Sequence, residues 1–219
     1  SPGAIEAYAR AAELDPESVY TVDRLIELYE TKGDAKELVD LLRRRVDLTP
    51  SDEADTRYDL LLQIAGLHET KLSNPREAID ALRESLDVRP ADVAALKGLD
   101  RLLRAEQLWP ELLENLRLQA SGAAETSERI ALRRAIGELF RDKLDDAQEA
   151  LEAFRSVLDE SSTDEASIAA VRALGESRDD LHLAAADILE PVLRQNGRFK
   201  ELAEILELRL RGQTDPLDR

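Results

Sequence analysis

Few side chains in this sequence have the types and spacing that acid–base or metal chemistry requires. The chain has no cysteine and only two histidines, His68 and His182. Neither histidine has a second one at the spacing of a metal site. His68 falls within an amphipathic helical pattern, and His182 follows Asp179 and Asp180 at a predicted helix start. We interpret both as ordinary residues on helix surfaces.

Paired carboxylates are the remaining candidates for catalysis. Adjacent pairs stand at Asp145-Asp146 and Asp179-Asp180, among 47 acidic residues. Both pairs fall at predicted helix starts, where negative charge interacts favourably with the helix dipole, so capping explains them better than catalysis does. The nine glycines are scattered singly and form no phosphate-binding loop. The sequence therefore predicts no catalysed reaction, no cofactor and no metal site.

Three basic residues form a stripe that suits binding better than catalysis. Lys97, Arg101 and Arg104 recur at spacings of four and three, so they project from one side of a predicted helix. Like charges at these spacings repel by about 0.2–0.5 kcal/mol per pair, and Asp100 relieves only part of that repulsion. In a chain of net charge −17, solubility does not require a basic cluster. An anionic ligand explains the stripe, and a solvated helix face is the alternative.

Composition excludes several other classes of protein. Aromatic residues make up only 4% of the chain and charged residues 35%, which favours helices with narrow apolar stripes over a β-sandwich. The net negative charge repels phosphate backbones, so we expect no nucleic-acid partner. No apolar run is long enough for membrane insertion. The sequence begins with Ser1, so a signal sequence could be missing. We favour the cytoplasm and leave the compartment open.

The elements that position the stripe follow the pattern of residues 59–90. This stretch reads as two helices separated at Ser73-Asn74-Pro75, where Asn74 can cap the second helix and Pro75 fits its first turn. Apolar residues recur at three and four in both helices. Gly66 and Ala78 are small, so we expect the two helices to approach closely at these positions.

Residues 59–90 resemble the tetratricopeptide repeat, a helical hairpin with a 34-residue pattern. The tyrosine of that pattern is replaced here by Glu69. Residues at the other characteristic positions are Leu62, Ala65, Gly66, Ala78, Leu82 and Pro90.

The hairpin repeats along nearly the whole chain. Equivalent second-helix positions, separated by 34, 40, 34, 38 and 52 residues, are Ala4, Leu38, Ala78, Leu112, Ala150 and Leu202. About twelve helices are predicted. Two belong to the 59–90 stretch, a long one that starts at 50–52 and a second one with Pro75 in its first turn, and the others lie at 3–14, 17–31, 35–47, 91–105, 109–120, 124–143, 146–159, 164–175, 179–195 and 199–211. The helix at 164–175 is the exception. It is either an insertion or the degraded first helix of another hairpin.

The resemblance implies an all-α, right-handed superhelical solenoid of antiparallel helical hairpins over residues 1–219. It also implies that first helices line a concave groove that binds a partner peptide or protein. Positions equivalent to the basic stripe are acidic in the first complete hairpin and mixed elsewhere. The resulting candidate partner-binding residues are Lys97, Arg101, Arg104, Asp23, Glu27, Glu30, Gln63, Leu67 and Leu139.

Other interpretations of the same repeats stay open. The chain could be a structural spacer, a self-assembly element or a regulatory domain of a larger protein, and it looks most similar to segments of long bacterial repeat proteins. The helices at 3–14 and 199–211 carry apolar residues that a neighbour would cover, so we expect weak self-association. Trp109, aligned with Ala35 and Phe199, is expected to wedge between hairpins.

Overall fold

The computed structural model describes residues 2–213, which contain twelve α-helices, one short 3-10 turn and no strand. The first six helices are α1 (Pro2–Leu14), α2 (Val19–Lys32), α3 (Ala35–Asp47), α4 (Ala54–Thr70), α5 (Pro75–Val88) and α6 (Val93–Ala105). The other six are α7 (Trp109–Gly122), α8 (Thr126–Asp142), α9 (Ala147–Glu160), α10 (Glu165–Ser177), α11 (His182–Gln195) and α12 (Phe199–Gln213). The prediction of an all-α chain of about twelve helices is confirmed. The handedness of a superhelix stays a prediction.

Side chains cap the starts of α2, α6, α9 and α10. Asp146 accepts a hydrogen bond of 3.1 Å from the Glu149 amide, and Asp164 accepts one of 2.9 Å from the Ser167 amide. Each such bond satisfies an amide that the helix leaves unpaired. Asn74 occupies the cap position of α5, but its side chain makes no capping bond.

The chain divides into two compact units, residues 1–108 and 109–219. Unit 1 contains α1–α6, and the described part of unit 2 contains α7–α12. The expected single solenoid over residues 1–219 stays a prediction. No helix within residues 2–213 is both long and apolar enough to cross a membrane.

In unit 1, each helix packs on its neighbours in the chain, and ion pairs reach from α3 and α4 to the helix two places on. Arg43 of α3 forms a 2.6 Å ion pair with Glu84 of α5. Arg101 of α6 pairs with Glu69 of α4. Side-chain ion pairs therefore link α3 to α5 and α4 to α6, as expected of stacked hairpins. The core between them includes the fully buried Val22, Leu42, Leu61, Ile64, Ile79 and Leu103.

In unit 2, α10 is a regular member of the stack. Arg134 of α8 contacts Asp164 at the start of α10 at 3.2 Å, and Arg172 of α10 pairs with Glu201 of α12. α11 correspondingly contacts α9. Residues 164–175 therefore form a packed helix of unit 2, and both interpretations of them, an insertion and a degraded first helix of another hairpin, stay open.

The close helix approach predicted at Gly66 is wrong. A Cβ atom built on Gly66 would meet no atom within 4 Å. On Gly137 of α8, a Cβ would stand 2.8 Å from the Phe154 ring. The bounds of α8 and α9 are those of α4 and α5 shifted by 72 residues, so Gly137 corresponds to Ala65 rather than to Gly66. Ala65 is buried, so the small residue at the helix crossing lies one position earlier than predicted.

Both histidines and one aromatic residue also differ from expectation. His68 and His182 are 8% and 7% exposed, so neither lies on a helix surface. His68 corresponds by the same 72-residue shift to Phe140, which is buried in α8. Phe199 is 69% exposed, so it does not pack between hairpins in the described structure. Trp109 is half-buried, and the Lys143 ammonium lies 5.1 Å from the centre of its ring.

Candidate functional site

Three of the candidate partner-binding residues meet at one pocket in unit 1. Glu30 of α2 and Gln63 and Leu67 of α4 line a pocket of about 300 Å³. Leu38 and Leu42 of α3 line it from the second helix of the first complete hairpin. Gly66 and Thr70 of α4 complete the lining. The pocket is therefore apolar in its interior, with a carboxylate, an amide and a hydroxyl among its walls. We call it the Gly66 pocket.

Gly66 provides the space in this pocket. Gly66 lines the pocket, and a Cβ built on it would meet no atom within 4 Å apart from the backbone of its own helix and its chain neighbours. The Thr70 hydroxyl donates a 2.7 Å hydrogen bond to the Gly66 carbonyl, which fixes the Thr70 side chain against the helix. A Cβ at position 66 would therefore displace no neighbouring helix, and we expect a larger side chain there to extend into the pocket.

The acidic residues predicted on α2 differ in their pairing. Asp23 accepts a hydrogen bond of 2.8 Å from Arg45, and Glu27 accepts one of 2.7 Å from Arg24. Within residues 2–213, the exposed Glu30 carboxylate makes no ion pair. Glu30 is thus the acidic group of this stripe that is available to a cation from outside.

The basic residues predicted on α6 are exposed but already have partners. Arg101 pairs with Glu69, and its side chain is still 62% exposed. Arg104 pairs with Asp100 at 2.6 Å, and its side chain is 47% exposed. Lys97 is exposed and also has a polar interaction. An anionic ligand at this stripe would have to compete with Glu69 and Asp100.

The contrast between α4 and α6 explains why the pocket forms where it does. Asp100 stands 34 residues after Gly66, at the equivalent position of the next repeat. On α6 this position carries a carboxylate that holds Arg104. On α4 it carries no side chain, and the space stays open. The equivalent positions of the two repeats thus differ, with a paired carboxylate on α6 and a pocket-lining glycine on α4.

One candidate partner-binding residue, Leu139, is buried. Leu139, which is equivalent in sequence to Leu67, is only 5% exposed and lies in the core of unit 2. Its prediction as a partner-binding residue is therefore wrong. The 72-residue shift between α4 and α8 aligns Leu67 with Leu139. However, Leu139 and the neighbouring Phe140 are buried in α8, whereas Leu67 is half-exposed on α4.

The buried titratable groups have structural explanations. The Tyr58 hydroxyl donates a 2.6 Å hydrogen bond to Asp92, and burial together with this bond raises the pKa of Tyr58 to about 12. Burial lowers the pKa of the His68 imidazole, whose Nδ1 atom has no hydrogen-bond partner. Among the described residues, no group of three or more histidines and carboxylates is placed to hold a metal ion.

Sequence reasoning missed part of the pocket. Leu38 was identified only as an equivalent second-helix position, and Leu42 was not among the candidate partner-binding residues. Gly66 was assigned to a helix crossing, although the difference between Gly66 and Asp100 at equivalent positions was visible in the sequence. That difference is the signal that could have located the pocket.

Comparison with known proteins finds similar solved structures. No family model matches this chain, and no curated protein matches it. MamA is 21% identical over 73% of this chain and 87% of its own, with a TM-score of 0.42. YrrB, titled a TPR protein with an unusual peptide-binding site, is 18% identical over 77% of this chain and 81% of its own, with a TM-score of 0.43. A human IFIT1 dimer with PPP-AAAA is 18% identical over 96% of this chain but 50% of its own, with a TM-score of 0.48. At these TM-scores the likenesses carry no argument about function.

Proposed function

We propose that this chain is a protein-interaction scaffold that binds a partner peptide along α2, α4 and α6 of unit 1 and catalyses no reaction. The observation that carries this proposal is the Gly66 pocket, which is lined by Glu30 of α2 and by Gln63 and Leu67 of α4. An apolar pocket with a few polar groups at its walls is the usual form of a site that anchors one side chain of a ligand.

The charges on either side of the pocket would set the direction of the peptide. Asp23, Glu27 and Glu30 lie on α2, and the basic stripe of Lys97, Arg101 and Arg104 lies on α6. A partner segment with basic residues over α2 and acidic residues over α6 would fit in one direction only. Its carboxylates would replace Glu69 and Asp100 as partners of the exposed Arg101 and Arg104.

Charge reversal on α6 tests the proposal. A partner is first isolated with the wild-type chain, and its affinity is measured by calorimetry. Changing Lys97, Arg101 and Arg104 together to Glu should abolish binding and leave the helical signal and melting temperature nearly unchanged. A matched control reverses Arg83, Arg117 and Arg155, which are about as exposed and pair only with carboxylates three residues away. Equal binding by both triple variants would contradict the proposal.

Self-assembly is a second candidate function, favoured by an exposed apolar stripe on α12. Phe199, Leu206 and Leu210 are 69%, 38% and 64% exposed and recur at seven and four, on one side of the helix. Changing all three to Gln should abolish any concentration-dependent association in sedimentation velocity. A wild-type chain that remains monomeric at millimolar concentration would exclude this candidate and leave peptide binding unaffected.

A further inference from the structure

We infer that the Gly66 pocket binds a lysine side chain of the partner. This inference rests on the proposed peptide-binding function and specifies the residue that anchors the peptide. Three leucines, at positions 38, 42 and 67, provide apolar walls for the four methylenes of a lysine stem. Glu30 of α2, which also lines the pocket, provides a carboxylate for the ammonium group.

The charge around the pocket selects a cation. Glu30 is exposed and has no ion-pair partner among residues 2–213, so binding a cation requires no internal ion pair to be broken. Glu27 and Asp23 lie one and two turns earlier on α2 and add negative potential, although each is already paired with an arginine. A carboxylate ligand would be repelled at the same place. A purely apolar side chain would leave the Glu30 carboxylate unused.

The polar groups of the pocket favour an ammonium over a guanidinium. An ammonium is a compact charge with three donors that can point at separate acceptors, whereas a guanidinium is a planar fork that pairs best with a carboxylate on both of its arms. Among its lining residues the pocket offers three acceptors of different kinds: the Glu30 carboxylate, the Gln63 amide oxygen and the Thr70 hydroxyl oxygen. The Thr70 hydrogen is directed to the Gly66 carbonyl, so its oxygen is left to accept.

The inference can be tested with small probes that do not depend on knowing the partner. N-acetyl-lysine N-methylamide is titrated into the isotope-labelled full chain and followed by amide chemical shifts. Its norleucine counterpart keeps the stem and lacks the ammonium, and its arginine counterpart keeps the charge on a planar group. For ligands of this size we expect a Kd on the order of 1 mM for the lysine probe. We expect about tenfold weaker binding of the other two, with shifts at Gly66, Leu67 and Thr70.

Two variants identify the pocket as the site. Gly66→Leu should fill the pocket and remove the shifts, and its Cβ has room, so the melting temperature should not fall. Glu30→Gln keeps the shape of the side chain, and with it the lysine and norleucine probes should bind equally. Equal affinities of the three probes for the wild-type chain, or unchanged lysine binding by Gly66→Leu, would overturn the inference.

The outcomes also separate this inference from the proposed function. If an isolated partner still binds Gly66→Leu with full affinity but loses binding on charge reversal of α6, the peptide-binding function stands and the lysine anchor is excluded. If the lysine probe binds the pocket but charge reversal leaves the partner bound, the anchor stands and the proposed course of the peptide over α6 is wrong.

Discussion

The Tyr58 hydroxyl of α4 donates a hydrogen bond of 2.6 Å to Oδ1 of Asp92, the residue that caps α6. The two residues are 34 positions apart, which is one repeat. The same carboxylate oxygen accepts a 3.0 Å bond from the Ala95 amide. These bonds, with the Tyr58 bond as the largest contribution, lower the pKa of Asp92. A helix start in one repeat is thus held by a buried side chain of the repeat before it.

Removing the Tyr58 hydroxyl should destabilise unit 1 without changing its packing. Tyr58→Phe deletes one hydrogen bond to a charged acceptor and keeps the buried ring, so we expect the free energy of unfolding to fall by about 1–2 kcal/mol. Urea denaturation followed by circular dichroism measures the change. Tyr29→Phe is the control, because Tyr29 is half-buried and its hydroxyl makes no hydrogen bond in the described structure. Equal losses from both changes would contradict a specific role for the Tyr58–Asp92 bond.

The raised pKa of Tyr58 predicts a loss of stability in alkali. The pKa is 10.0 in an unperturbed tyrosine and about 12 in the folded chain. Above pH 10 the unfolded state releases this proton first, so unfolding becomes easier as the pH rises from 10 to 12. Below pH 10 the stabilising contribution of the neutral Tyr58 hydroxyl is fully present. Tyr58→Phe should therefore lose less stability than the wild type between pH 10 and 12, measured as the shift in urea midpoint. Parallel curves for the two proteins would contradict the assignment.

Two glycines should respond in opposite ways to alanine. A Cβ on Gly175 of α10 would stand 2.6 Å from the Ala185 Cβ of α11, so Gly175→Ala should cost about 1–3 kcal/mol through overpacking. A Cβ on Gly66 meets open space, so Gly66→Ala should gain up to about 1 kcal/mol from helix propensity. Thermal denaturation of the two single variants compares these effects within one chain. A lower melting temperature for Gly66→Ala would contradict the open space beside Gly66 and favour the close helix approach that the sequence predicted.

Acidification should weaken the fold through His68. Burial lowers its pKa below the unperturbed 6.5, so between these two values the unfolded state binds a proton that the folded state does not. The stability contribution of neutral His68 is complete above pH 6.5 and is lost as the pH falls through the folded pKa. Nearby Glu77 and Asp40 oppose this shift and Arg43 adds to it.

The histidine effect is measured with His68→Phe, which copies the residue at the equivalent position of α8. The variant should show a flatter dependence of the urea midpoint on pH than the wild type below pH 6.5. A wild-type midpoint that does not change between pH 8 and 5 would exclude the effect.

Helix positions could be predicted well because their signals are local. A helix was predicted at 35–47, which is where α3 lies. A helix was predicted to begin at residue 164, and α10 begins at Glu165 with Asp164 as its cap. Such features depend on neighbours within one turn of helix, which the sequence contains.

Pairing between repeats could not be predicted from the same patterns. The stripe of Lys97, Arg101 and Arg104 was correctly placed on one exposed helix, but the partner of Arg101 is Glu69, 32 residues earlier. Which carboxylate a long arginine side chain reaches depends on the distance between helices, which periodicity does not specify. For the same reason the space beside Gly66 was mistaken for a helix contact. The candidate site itself stays a prediction until binding is measured.

The neighbour-to-neighbour packing within unit 1 also determines how quickly it should fold. Its helices contact chiefly those adjacent in the chain, so few contacts require the closing of a long loop, and folding of such chains is fast. During synthesis, α1 to α3 could assemble before α5 and α6 leave the ribosome. The α2–α3 side of the Gly66 pocket would then be in place early, and α4 would complete it as soon as it joins them.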